Sequence, residues 1–334
     1  MIYIFIGFII SVVSVPLIAK LASKANVVDV PDSRKIHTTP TPLLGGLGIF
    51  LSYIIIILLL DDMPKEVLSI FAASTIILAL GLTDDIFDLS PYSKLVVQTF
   101  ATSVIILNTE LRFNISVINL PFFDQPIWTI ILTYLWIIGV TNSLNLIDGI
   151  NGLSGGVSLI SFTVISIVAH NTGSTIYMHI CLGFIGATAG FLKYNITKAK
   201  VFMGDSGSLL LGFNLACFSI ASLSKNQTIV AVIFPISVLS IPIFDTLFAI
   251  IRRSLDHRNP LLADKGHLHH ILIETGLTHL QALTIFYALS ILMAILSYLS
   301  YLTSSVWYTV ACYIILLSFL IIIKGNFKTA KSLI

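Results

Sequence analysis

The chain has 334 residues, of which 56% are hydrophobic and only 10% charged, with a mean hydropathy of +0.99. A soluble domain carries about 25% charged residues, so this composition excludes a chain that covers its whole surface with water-facing groups. The formal net charge of +2 says little by itself, and no nucleic-acid partner is expected.

The apolar residues come in blocks. A hydrocarbon core about 30 Å thick is crossed by roughly 20 helical residues. Backbone groups in lipid must be satisfied within the segment, so repeated apolar runs mean helices. The sequence predicts an all-α polytopic membrane protein with eleven spans, at 1–22, 44–60, 67–83, 94–108, 127–142, 154–170, 176–192, 208–223, 228–250, 282–300 and 306–323. The first run has no basic stretch ahead of it and continues into Lys20 and Lys24, the reverse of a signal peptide, so it is expected to be retained. No internal repeat is visible, and residues 1–334 read as one domain.

Orientation follows from the loop cations. With the loop after the first span inside, fifteen Lys and Arg residues fall inside and only Lys65, Arg112 and Lys225 outside. The amino terminus is then outside and the carboxyl terminus cytoplasmic. The loops at 23–43, 84–94, 142–153, 193–207 and 251–281 share the cytoplasmic face and hold most of the polar residues.

In chain order, the first of these loops carries PDSRKIH, with Lys35 and His37 as candidates. Asp84 and Asp85 close the third span and Asp88 lies one turn on. Three acids this close repel one another unless a cation or basic partner is present. The bland alternative is a solvated acidic loop that caps the next helix. Asn145 and Asp148, three apart, share a face if helical. Asp205 sits in a Gly-flanked turn opening the eighth span, where it, Ser206 or Ser208 is a natural N-cap. Carboxylate and amide oxygens also suit Mg²⁺, which keeps waters and binds substrate phosphates; Mn²⁺ is an alternative.

In the last loop, HLHH supplies His267, His269 and His270 beside Arg252, Arg253, Arg258 and Lys265. Without cysteine ligands this favours an anion, a phosphate or sugar hydroxyls, over zinc. Asp245 stands two turns before Arg252 and Arg253, and a structural ion pair with one of them is its bland reading. Gly45 and Gly46 suit close helix approach. Cys181, Cys217 and Cys312 all lie in apolar runs and read as buried thiols.

Taken in order from about residue 27 to 275, RKIH, DDIFDLS, NLIDGINGL, FMGDSGSL and HLHH resemble the polyprenyl-phosphate N-acetylhexosamine-1-phosphate transferases. Within that family the bacterial undecaprenyl-phosphate N-acetylglucosamine-1-phosphate branch is most similar. The resemblance implies a Mg-dependent enzyme of the bacterial inner membrane. It would join undecaprenyl phosphate to the sugar 1-phosphate of a UDP-N-acetylhexosamine, releasing UMP, as the first membrane step of a cell-surface polysaccharide. A homodimer is compatible with it.

By the same resemblance, Asp84 and Asp85, with Asp148, are the catalytic carboxylates, and Asn145 and Asp205 the magnesium ligands. Phe202 stacks on uracil, Asn151 lies in the nucleotide-reading segment, and Lys94 sits near the phosphates. The His267, His269 and His270 loop, with Arg252, holds the sugar phosphate. Most bacterial members have Asp where this chain has Asn151, so hydrogen bonding to the base is expected there rather than base catalysis. HLHH, in place of three consecutive histidines, points away from the muramyl-pentapeptide branch. Direct attack by the lipid phosphate is the expected route, since a phosphate monoester is mostly dianionic above its second pKa of about 6. A proton- or cation-coupled transporter is the rival class, but it calls for midplane charges and often repeats.

Overall fold

The computed structural model describes residues 1–31, 39–113, 125–196, 199–223, 229–257 and 266–332. Thirteen helices are found among them: α1 (Ile2–Lys24), α2 (Gly45–Leu58), α3 (Lys65–Phe87), α4 (Pro91–Asn108), α5 (Pro126–Ile147), α6 (Leu153–Asn171), α7 (Thr175–Asn195), α8 (Gly204–Ala221), α9 (Val230–Val238), α10 (Ser240–Leu255), α11 (Leu268–Glu274), α12 (His279–Thr303) and α13 (Trp307–Ser332). Two strands of two residues each, β1 (Val28–Asp29) and β2 (Thr41–Pro42), pair antiparallel.

Each predicted span coincides with a helix, but the ninth is broken. α9 and α10 meet at a 77° bend around Leu239. Pro242 lies in the first turn of α10, where its missing N–H and fixed φ are tolerated, so the chain restarts a helix there instead of continuing one. By length and apolarity six helices qualify as membrane spans, α1, α3, α5, α6, α7 and α12, or seven if the bent pair counts as one. α2 and the first part of α13 are shorter apolar helices. The protein is a multi-pass helical membrane protein.

Local sequence sets several helix starts. Ser90 accepts the Ser93 N–H at 3.2 Å with Pro91 at the first position of α4. Thr278 and Gln281 form a reciprocal capping box on α12.

α8 is the hub. All its residues from Ser206 to Ala221 are buried, beneath α2, α3, α5 and α6. Absent side chains allow the approach: a Cβ on Gly81 of α3 would lie 2.4 Å from Ser206 Cα, and one on Gly46 of α2 2.3 Å from the Gly207 nitrogen. The close approach expected of Gly45 and Gly46 is borne out at both, since a Cβ on Gly45 would lie 2.7 Å from the Phe202 carbonyl oxygen. The three cysteines are buried free thiols, as expected.

Candidate functional site

Three helix ends converge on a group of carboxylates. α3 continues four residues past its predicted apolar limit, so Asp84 and Asp85 stand on its last turn rather than in a loop. Asp88 then ends the helix in the left-handed region (φ 50°), exposed, donating its N–H to the Asp84 carbonyl.

The N-terminus of α8 corrects an expectation. Its N-cap residue is Met203, with no side-chain bond, and neither Asp205, Ser206 nor Ser208 fills that role. The cap comes from another helix. Asp85 Oδ1 accepts the Asp205 N–H at 2.7 Å and Asp85 Oδ2 accepts the Ser206 N–H at 3.1 Å. A carboxylate here satisfies orphan donors and faces the positive end of the helix dipole. Gly204, at φ +71°, makes the room: a Cβ there would stand 2.5 Å from Asp85 Oδ2.

Held in this way, the Asp205 side chain has two partners of its own. Oδ1 accepts from Asn145 Nδ2 at 2.8 Å, and Oδ2 accepts from Lys94 Nζ at 2.9 Å. Lys94, on the first turn of α4, also pairs with Asp84 Oδ2. Asp84 Oδ1 takes the Leu89 N–H at 2.8 Å. Of the three crowded acids, Asp84 has the basic partner that their spacing demanded, Lys94, while Asp85 is met by the α8 N–H groups. Asn145 Nδ2 lies 2.9 Å from Ser208 Oγ as well, tying α5 to α8.

Asp148 caps the end of α5 and accepts from Ser154 Oγ at 2.5 Å. Part of its surface stays open, yet protein surrounds it closely. Burial, opposed by the Ser154 hydrogen bond and reinforced by the charges of Asp205 and Asp85, pushes its carboxyl up to about 8.

The remaining segments join this centre. Gly152 donates its N–H to Asn195 Oδ1 at 2.6 Å, and Asn195 Nδ2 donates to the Val201 carbonyl at 3.0 Å. This brings Asn151 and Phe202 to the two sides of one side-chain bridge. Phe202 in turn donates its N–H to the Pro42 carbonyl at 2.8 Å and accepts the Gly45 N–H at 3.0 Å. Lys35, His37, Arg258 and Lys265 lie outside the described residues.

Asp245 meets a histidine and a helix start: its Oδ2 lies 2.7 Å from His267 Nδ1, and its Oδ1 accepts the Leu268 N–H at 2.8 Å. Arg252 donates to the Gly266 carbonyl and lies 5.2 Å from the Phe248 ring centre, pinning the returning end of the same loop. His269 is buried and packs on Gly149, where a Cβ would stand 2.1 Å from its Nε2. Among the described residues neither ring nitrogen has a hydrogen-bond partner, and burial pulls its pKa down to about 3. The rings of His267 and His270 lie 5.8 and 4.2 Å from it. The histidine loop thus touches the Asp148–Gly149 turn directly.

Sequence reasoning missed Ser154 and Asn195, and singled out Ser208 for a cap rather than as a partner of Asn145. It also missed the amide pair of Gln98 and Asn142, which exchange hydrogen bonds at 2.7 and 3.1 Å one helical turn from Lys94 and Asn145. These are partners of the singled-out residues, and no local motif marks them.

Among the described residues, no three His, Cys, Asp or Glu side chains form a metal cage. The donors around Asp205 are nonetheless hard oxygens and amides. That set fits a small divalent ion held by one or two carboxylates plus phosphate oxygens, once the Asn145 amide presents its oxygen.

The profile of glycosyl transferase family 4 matches residues 67–223, the stretch containing this carboxylate cluster. A probable undecaprenyl-phosphate N-acetylglucosaminyl 1-phosphate transferase of Bacillus subtilis is 35% identical, over 97% of this chain and 92% of its own length. A decaprenyl-phosphate N-acetylglucosaminephosphotransferase of Mycobacterium tuberculosis is 31% identical over 80% and 74%. An undecaprenyl-phosphate alpha-N-acetylglucosaminyl 1-phosphate transferase of Thermotoga maritima is 30% identical over 96% of each.

Proposed function

The chain belongs to glycosyl transferase family 4, and on that premise we propose that it transfers N-acetylglucosamine 1-phosphate from UDP-N-acetylglucosamine to undecaprenyl phosphate. The products are undecaprenyl-diphosphate N-acetylglucosamine and UMP. The observation that carries the reading is the Lys94 ammonium held between Asp84 and Asp205, with Asp85 and Asn145 fixing Asp205. Phosphoryl transfer is mainly positioning and charge stabilisation, and this cluster offers both without a Ser or Cys nucleophile.

In the reaction, an oxygen of the lipid phosphate bonds to the β-phosphorus of the donor while the bond from that phosphorus to the bridging oxygen breaks. UMP leaves with the bridging oxygen and its electron pair. The attacking phosphate is already dianionic near neutral pH, so no side chain has to remove a proton. Lys94 lowers the repulsion between the two phosphorylated substrates. Asp84 orients the Lys94 ammonium, and Asp85 orients Asp205 through the α8 backbone. A bound Mg²⁺, or Mn²⁺ in its place, would be held by Asp205 and Asn145 and would neutralise the diphosphate. Asp148, whose carboxyl is pushed up by burial, accepts the Ser154 hydroxyl at the edge of the centre. Phe202 and Asn151 receive the uracil base, and the His267–His270 loop with Arg252 closes over the sugar phosphate.

The setting matches the substrates. The polyprenyl tail stays in the bilayer and its headgroup reaches the helix ends, where a soluble nucleotide sugar also arrives. The distribution of loop cations supports a cytoplasmic orientation for that face, at the inner membrane. Purified protein given labelled UDP-N-acetylglucosamine, undecaprenyl phosphate and Mg²⁺ is expected to form lipid-linked label, and Asp205→Ala to abolish it. A competition panel with UDP-N-acetylgalactosamine and UDP-muramyl-pentapeptide fixes the sugar. Stronger competition by either would replace N-acetylglucosamine in this reading.

A further inference from the structure

Gly152 follows Asn151 in the turn between α5 and α6 and is gripped on both sides. Its N–H goes to Asn195 of α7, and its carbonyl accepts the Tyr287 hydroxyl of α12 at 2.6 Å. The same carbonyl also accepts the Gly156 N–H at 2.9 Å. The Tyr287 ring is seated in a notch cut by two glycines one turn apart. A Cβ on Gly156 would lie 2.1 Å from Tyr287 Cζ, and one on Gly152 would lie 3.3 Å from its hydroxyl. Gly152 has φ +82°, so the turn also requires glycine for its backbone.

Tyr287 belongs to none of the five motif segments and lies 135 residues from its acceptor. A part-buried phenol usually finds a partner, but the notch shows that α6 is shaped to receive this ring. What the contact fixes is the Gly152–Leu153 peptide, on the other side of the Gly152 Cα from the Asn151–Gly152 peptide. That neighbouring peptide supplies the N–H bonded to Asn195, which gives it a set spacing from Val201 and so from Phe202.

We infer that Tyr287 is a positioning residue for the donor nucleotide: by holding the Gly152 carbonyl it sets the distance between Asn151 and Phe202, the two sides of the base-binding slot. This rests on the transferase reading above, in which those residues receive uracil. Tyr287 touches no substrate; it acts through the backbone.

Initial-rate kinetics on the purified full-length protein test the inference. Tyr287→Phe keeps the ring and removes only the hydroxyl. It is expected to raise KM for UDP-N-acetylglucosamine about five- to tenfold, the loss of one hydrogen bond, while kcat and KM for undecaprenyl phosphate stay near wild type. Gly156→Ala, which displaces the same ring, should give the same donor-side defect. The double variant should be little worse than either single variant. An unchanged donor KM, an equal rise in KM for both substrates, or a fall in kcat alone overturns the inference. Thermal unfolding of each variant separates loss of fold from loss of positioning. Failure of the wild-type protein to form lipid-linked product would instead overturn the transferase reading, so the two failures are distinct.

Discussion

Asp85 and Asp205 are joined through the backbone as well as by proximity: the carboxylate of Asp85 receives the N–H of Asp205 at 2.7 Å and that of Ser206 at 3.1 Å. A residue at the end of α3 therefore serves as the cap of α8, 120 positions later in the chain. The Asp205 side chain faces Lys94 and Asn145 from a helix start that Asp85 holds in place. This divides the adjacent pair, since Asp84 bonds Lys94 and Asp85 bonds the α8 backbone.

That division predicts unequal substitutions. Asn keeps one acceptor oxygen for these two N–H groups, whereas Ala leaves both unpaired, and a lost cap costs about 0.5–2 kcal/mol. Asp85→Asn is expected to keep about two- to tenfold more activity than Asp85→Ala. A carboxylate that reacted covalently would lose activity equally in both, and steady-state rates distinguish the cases.

Lys94 separates two carboxylates. Its replacement by Met leaves Asp84 and Asp205 opposed without a cation, so thermal stability and activity are both expected to fall, activity by about a hundredfold or more. Adding Asp84→Asn to that variant should recover stability but not activity. Melting temperatures of the two proteins in detergent check this; no recovery means that the pair is not held apart by Lys94.

Asp148 makes a pH-dependent contribution. Its folded pKa is raised to about 8, against about 4 for a free aspartate. The stability tied to its neutral form is complete below the lower value and is lost as pH rises through the upper one. Between about pH 4 and pH 8, wild-type melting temperature should fall more steeply than that of Asp148→Asn, which cannot ionise, and the two curves should run parallel above that window. Parallel curves within it would contradict the assignment.

The histidine loop can be tested at Gly149. A methyl there would collide with His269 Nε2, so Gly149→Ala should cost about tenfold or more in activity by pushing the loop away. Combined with His269→Ala, which removes the obstruction, it should cost little beyond His269→Ala alone. Fully additive losses would mean that the two residues act separately.

Much of this was readable from the chain. Apolar blocks located the helices because lipid leaves the backbone no other solution. The crowding of Asp84 and Asp85 called for a cation, which the structure supplies as Lys94. The bend at Leu239 was signalled by Pro235 and Pro242 but was hidden inside one hydrophobic run. What the chain concealed was tertiary pairing. Nothing local to Asp245 points to His267, and nothing around Tyr287 points to Gly152. Asp85 as a cap for α8 depends on Gly81 and Gly204 bringing two distant helix ends within bonding distance.

The most direct measurement follows UMP release and sugar transfer together, using donor labelled at the β-phosphorus, with and without undecaprenyl phosphate. A single displacement at the Lys94–Asp205 cluster predicts that UMP appears only when the lipid is present, mole for mole with lipid-linked label, and that Asp205→Ala stops both. UMP released without lipid, with label left on the protein, would contradict the account.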